Sequence, residues 1–181
     1  LPVPAPAAGE VRVRVSYAAV NPIDWKLLTG GLHAAAPVSF PATLGFDLSG
    51  VVDAVGAGVD DPELGVGAEV IGNTGLAETC KLPPPAAGSC GAMAEYAVLP
   101  ASCVAPLAGA GVGLKEAAGL PLVGLTAYQA LRTGSGGVSM VDGGPLGDLR
   151  AGDKLLVLGG ASATGACALQ IARALNDAVG D

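Results

Sequence analysis

Aromatic side chains are scarce in this chain: phenylalanine, tryptophan and tyrosine together make up 3% of its 181 residues. Few ring faces means no platform on which bases could stack, so the composition gives no sign of a nucleic-acid partner. Charge is also thin, at 14%, and the balance is negative, with sixteen acidic against nine basic side chains and a net charge of −7. Phosphate backbones and anionic lipid surfaces repel such a chain. Unbroken apolar runs are missing too. Of two long uncharged windows, Tyr96–Leu114 is interrupted by Pro100, Pro106 and three glycines, and Leu155–Ala172 by Gly-Gly, Ser, Thr and Gln. Neither is the run of about 20 apolar residues that spans a bilayer. Histidine and cysteine, the usual soft metal ligands, number one and four. The cysteines Cys80, Cys90, Cys103 and Cys167 have no C-x-x-C spacing, and His33 has no ligand-bearing neighbour in sequence, so no metal site is expected. Cys80 and Cys90 flank a loop that a disulfide would close. Scattered thiols fit a reducing compartment better, which places the protein in the cytoplasm, with an organelle as the alternative.

What the chain does have is apolar and turn-forming residues: 51% hydrophobic, with 29 glycines and 14 prolines. That is a globular composition with material for one full domain and part of another. The chain opens on Leu1 with Pro-x-Pro-Ala-Pro, without a basic-then-apolar leader, and ends one helix into a strand–helix unit. A lone strand and helix cannot complete a sheet, so a piece of a longer protein is expected.

Gly9–Tyr17 alternates valine with polar residues, the pattern of a half-buried antiparallel strand with Arg12 and Arg14 outward. Asn21-Pro22 marks a turn, and Asp24–Leu28 a short helix stopped at Gly30-Gly31. Residues 40–50 read as irregular, leading into a strand at Val51–Gly56. Further strands are expected at Ala68–Gly72 and Ala92–Leu99, with a loop over 73–91. Short strands separated by Gly/Pro turns point to a small β-barrel. The character turns helical at Lys115–Leu120 and Pro121–Arg132, and a glycine-rich linker fills 133–150.

The last stretch organises the rest. Leu155–Leu158 reads as a buried strand, Gly159–Gly165 as a glycine turn and Ala166–Leu175 as a helix, the opening beat of a dinucleotide-binding βαβ unit. Gly160-x-Ser162-x-x-Gly165 is an imperfect G-x-G-x-x-G. Its backbone N–H groups at Gly160, Ser162, Ala163, Thr164 and Gly165 would face a pyrophosphate at a helix start. The competing reading is an ordinary structural turn.

In order along almost the whole chain, several stretches resemble the medium-chain dehydrogenase/reductase superfamily, in particular its zinc-independent, quinone-oxidoreductase-like branch. They are Gly9–Val13, Asn21–Lys26, Leu44–Val52, Gly91–Tyr96, Ala117–Tyr128 and the final glycine turn. The resemblance implies a β-rich GroES-like barrel domain over 1–120, whose initial hairpin lies upstream. A connecting helix and linker over 121–150 would follow, then the first βα unit of a truncated α/β Rossmann domain over 151–181. It implies NADPH as cofactor, with NADH as the alternative, and hydride transfer to a small-molecule substrate, a quinone or the C=C bond of an enone. Relatives of this kind commonly form homodimers, which the full-length parent would share. The rival reading is a non-catalytic GroES-like binding module.

The resemblance also assigns candidate residues, each with a plainer structural reading beside it. Asn21 and Asp24 would sit at the cleft mouth as polar catalytic groups, or simply form an Asn-Pro turn with Asp24 capping a helix. Lys26 would polarise a substrate oxygen or meet a phosphate, or be a solvated helix lysine. Thr126 would face the nicotinamide carboxamide, or bond back to a carbonyl one turn earlier. Where zinc-dependent members carry Gly-His-Glu, this chain reads Gly45-Phe46-Asp47, and the histidine ligand is gone.

Overall fold

The computed structural model describes residues 2–31, 42–75, 91–132 and 147–177. His33, Cys80, Cys90, most of the 73–91 loop and most of the linker lie outside these residues. The chain divides into two compact units, Leu1–Pro121 and Leu122–Asp181.

The first unit is built on five strands: β1 (Glu10–Ala19), β2 (Asp47–Val55), β3 (Glu69–Asn73), β4 (Tyr96–Pro100) and β5 (Val104–Pro106). They form one sheet in the order β4-β1-β2-β3-β5, with each neighbouring pair antiparallel. The valine alternation of β1 does what its period demands. Val11 and Val13 are wholly buried and meet Leu48, Val52, Val70, Ala97 and Leu99 in the core. Each such side chain contributes about 1.5–3 kcal/mol by leaving water. On the other face Arg12 donates from Nε to Asp53 at 2.7 Å and from a terminal nitrogen to the Pro4 carbonyl at 2.9 Å. It also lies over the Tyr96 ring, 5.6 Å from its centroid. Among the described residues the unit also holds two short α-helices, α1 (Pro22–Leu28) and α2 (Leu114–Ala117). The Ser49 hydroxyl, fully buried, donates to the Leu114 carbonyl at the start of α2.

Two strands of this unit depart most from the sequence expectation, a third has no counterpart in it, and the helix expected at Lys115–Leu120 is the shorter Leu114–Ala117. β2 begins at Asp47, inside the stretch read as irregular: its first four residues are all buried, and Asp47 and Ser49, on the face opposite the core residues Leu48 and Val52, are polar, so no apolar run marks the strand. β4 is confined to Tyr96–Pro100; Ala92–Glu95 form bends, with the Ala92 and Met93 N–H groups bonding the Gly45 and Leu44 carbonyls and the Glu95 carbonyl accepting the Val15 N–H of β1. β5 has no sequence counterpart, being only three residues long and ending in proline.

The second unit holds most of α3 (Pro121–Arg132) and all of α4 (Ala163–Asp177). Residues 147–149 run back along the end of α3, with Gly147 and Leu149 donating to the Ala130 and Leu131 carbonyls at 2.9 and 2.7 Å. The buried strand expected at Leu155–Leu158 is not formed. The segment joins no sheet, and Leu156 and Leu158 are 82% and 88% exposed. A parallel-type strand is buried only when strands flank its edges and helices its faces, and the described residues of this unit include no other strand. α4 starts at Ala163 rather than Ala166, which brings Ala163, Thr164 and Gly165 into its first turn. Among the described residues no helix is long and apolar enough to cross a membrane.

Candidate functional site

Asn21-Pro22 sets the first site. Proline at the first helical position loses no hydrogen bond, since that N–H has no partner inside a helix anyway. Asn21, extended at φ −114° and ψ 157°, is the N-cap of α1. Asp24, three residues on, turns back so that its Oδ2 accepts the Asn21 N–H at 2.6 Å. This is the return half of a capping box, which joins a cap to the first turn.

Asn21 does more than cap. Its Nδ2 donates to Oδ2 of Asp47 at 3.0 Å, and Nδ2 of Asn73 donates to Oδ1 of the same carboxylate at 2.7 Å. Asp47 and Asn73 are direct cross-strand partners at the end of the β2–β3 ladder. Asn73 is held in turn, because its Oδ1 accepts the Gly75 N–H at 2.9 Å. Asn21, Asp24 and Asp47 are 7%, 3% and 0% exposed. The result is a buried polar joint tying the start of α1 to two strands. One acceptor in it is left over: Oδ1 of Asp24 is buried without a hydrogen-bond partner. A buried polar atom in that state costs about 1–3 kcal/mol, and it is an acceptor for an N–H or O–H donor.

Lys26 is not drawn into this joint. It is exposed, with its ammonium 5.9 Å from the centroid of the neighbouring Trp25 ring. Phe46, at the place of the missing histidine, is buried and carries no donor atom. Among the described residues no group of three His, Cys, Asp or Glu side chains could hold a metal. Nothing in the sequence marks Asp47 and Asn73 as site residues. Their signal is weak: one polar residue at the start of a strand and one at the end of another, with partners 26 residues away.

In the second unit the glycine turn has a definite construction. Gly159 takes φ +82°, and its carbonyl accepts the Ser162 N–H at 2.9 Å. Ser162 then precedes α4, its hydroxyl accepting the Gly165 N–H at 3.1 Å as an N-cap does. A side chain at Gly165 has no room, because a Cβ there would stand 2.3 Å from the Gly159 carbonyl oxygen and 2.8 Å from the Gly160 Cα. The N–H groups of Ala163 and Thr164, first and second in the helix, have no acceptor within it. Thr126, exposed on α3, donates its hydroxyl to the Leu122 carbonyl at 2.7 Å.

Comparison with known proteins bears on both units. Residues 7–109 match the family described as the alcohol dehydrogenase GroES-like domain. The chain is 33% identical over 137 residues to the chloroplast envelope quinone oxidoreductase homolog of Arabidopsis thaliana, a match covering 75% of this chain and 37% of that protein. It is 34% identical over 173 residues to the NADPH-dependent alkenal/one oxidoreductase, chloroplastic, of the same plant, covering 94% and 39%. Among solved structures, an alcohol dehydrogenase superfamily protein from Novosphingobium aromaticivorans superposes with a TM-score of 0.75 at 33% identity, over 97% of this chain and 46% of that one. The chain thus spans a little over a third of the length of these two curated relatives.

Proposed function

The chain belongs to the alcohol dehydrogenase GroES-like domain family, within the medium-chain dehydrogenase/reductase superfamily, and from that premise we propose that the full-length protein is a zinc-free, NADPH-dependent reductase. Its substrate is a quinone or an α,β-unsaturated carbonyl, the classes named in two of its relatives. The observation that carries this reading is the contact of Gly165 with Gly159 and Gly160. A glycine at that place lets the helix start close against the turn, the role of the third glycine in a dinucleotide-binding loop.

The cofactor, when bound, supplies the hydride; the protein supplies binding and orientation. In this reading the N–H groups of Gly160, Ser162, Ala163, Thr164 and Gly165 face the pyrophosphate, where the helix dipole favours negative charge. Thr126 meets the nicotinamide carboxamide. Asn21, Asp24 and Lys26 form the polar set that meets substrate and nicotinamide, and water supplies the proton. The absence of zinc is supported by Phe46, which has no donor atom, and by the two amides that already occupy the Asp47 carboxylate. The compartment is reducing, cytoplasmic or organellar, and the full-length enzyme is a homodimer.

The test is NADPH oxidation by the full-length protein with 1,4-benzoquinone and with a short enone, before and after treatment with a chelator. Turnover of one acceptor that survives chelation is expected. Absence of both turnover and NADPH binding overturns the reading in favour of a non-catalytic module.

A further inference from the structure

The polar joint contains a carboxylate for which the proposed reaction has no direct use. Asp47 is wholly buried, and both of its oxygens accept from side-chain amides. A carboxylate offers only acceptors, whereas an amide offers an acceptor at one end and donors at the other. Each neighbour of Asp47 is therefore forced to turn its NH2 group inward. For Asn73 this sense is fixed twice, since its Oδ1 is already committed to the Gly75 N–H. For Asn21 it is fixed by Asp47. A neutral side chain in place of Asp47 would let the Asn21 amide flip end for end, exchanging donor and acceptor at the start of the helix that also carries Asp24 and Lys26.

We propose that Asp47 is a positioning residue, which sets the sense of the Asn21 amide and anchors it to the β2–β3 strand pair through Asn73. The proposal rests on the reading that Asn21 meets the reacting groups. Asp47 itself touches neither substrate nor cofactor. It determines which end of the Asn21 amide is available to them.

The experiment compares the full-length protein with Asp47→Asn and with the exchanged pair Asn21→Asp/Asp47→Asn. In the single variant the new amide can accept from one neighbour only. A loss in kcat of roughly ten- to hundredfold, the scale of a displaced catalytic group, is expected, with the KM for NADPH changed by less than about threefold. The exchanged pair restores a donor–acceptor match between position 47 and both position 21 and Asn73. It is expected to recover the wild-type melting temperature while kcat stays low, because the amide at position 21 is gone. If Asp47→Asn fails to fold, the exchanged pair alone decides. Recovery of both melting temperature and kcat in that pair reduces Asp47 to a structural role and overturns the proposal. So does unchanged turnover in the single variant. Side-chain hydrogen exchange separates this from the function itself. The Asn21 NH2 protons should exchange at least about tenfold more slowly than those of the exposed Asn176, and lose that protection in Asp47→Asn. Slow exchange in a protein that turns over neither acceptor would sink the reductase reading and leave the anchoring intact. Fast exchange in the wild type would overturn the anchoring.

Discussion

Gly165 and Gly159 are so close that a methyl group on the first would stand 2.3 Å from the carbonyl oxygen of the second. The contact is between backbone atoms, so no rotamer change relieves it. Two opposing effects meet at this position. Alanine inside a helix is favoured over glycine by roughly 0.5–1 kcal/mol, while forcing an extra carbon into a filled space costs about 1–3 kcal/mol. The clash wins. Gly165→Ala is expected to destabilise the second unit by about 1–2 kcal/mol, read as faster amide exchange along α4. A more stable variant would mean that the helix can withdraw from the turn. The same geometry makes Gly165→Asp a poor probe of charge, since any side chain disturbs the loop before its charge is felt.

Ser162 permits the cleaner electrical test. Its hydroxyl caps α4 through the Gly165 N–H, so Ser162→Ala should cost about 1 kcal/mol of stability. Ser162→Asp keeps the cap and places negative charge at the positive end of the helix, so stability should stay within about 0.5 kcal/mol of wild type. A pyrophosphate at the same place would meet that charge at close range. NADPH affinity of the full-length Asp variant should therefore fall at least about tenfold. Equal affinity in the serine and aspartate proteins would remove the cofactor from this loop.

The contrast between β1 and the polar joint explains what the sequence could reveal. Val11, Val13 and Val15 announce a strand because period-two alternation is a local signal and one face is buried. Helix α3 over Pro121–Arg132 was legible for a similar reason, with proline at its start. Asp47 and Ser49 are buried too, but their partners are Asn21, Asn73 and Leu114, which lie 26 to 65 residues away. No local pattern contains such pairs, so the first half of β2 reads as irregular. Asn21 and Asp24 were legible as candidates through the Asn-Pro turn, whereas the carboxylate that joins them to the sheet was not. The run Leu155–Leu158 shows the reverse limit. Its composition suits a buried strand, but burial depends on neighbours that the described part of this unit does not provide.

Asp148 and Arg150 form an ion pair on the surface, with Nε of Arg150 3.0 Å from Oδ2 of Asp148. The hydrogen bond and the charge of Arg150 hold the Asp148 carboxyl below its ordinary value of 3.8, and the carboxylate keeps the guanidinium charged. A folded pKa below the unfolded one favours the folded state above the ordinary value, and that contribution is lost as pH falls through the lowered one. Both side chains are more than half exposed, so the melting temperature between pH 4 and 7 should not register the pair. The titration should. Carboxyl carbon NMR is expected to show Asp148 titrating low, and to return it to the ordinary range in Arg150→Gln. In about 1 M salt, where the screening length is roughly 3 Å, the displacement should shrink. A melting temperature that falls measurably on Arg150→Gln would contradict this account.

Thr126 offers a way to separate cofactor binding from structure at a single atom. Its hydroxyl proton is committed to the Leu122 carbonyl at 2.7 Å, but the oxygen remains exposed and keeps lone pairs. An oxygen in that state can accept an N–H from a carboxamide without giving up its own bond. Thr126→Val keeps the shape and the β-branch while deleting the hydroxyl. The Leu122 carbonyl loses one of two acceptor contacts at an exposed site, so stability should change by less than about 0.5 kcal/mol. If the hydroxyl meets the nicotinamide carboxamide in the full-length enzyme, the lost hydrogen bond should weaken NADPH by roughly three- to tenfold, the equivalent of about 1 kcal/mol. The second substrate should show little change in KM, because it does not meet this atom. Equal NADPH affinity in the threonine and valine proteins would assign Thr126 to the helix alone and move the carboxamide contact to another residue.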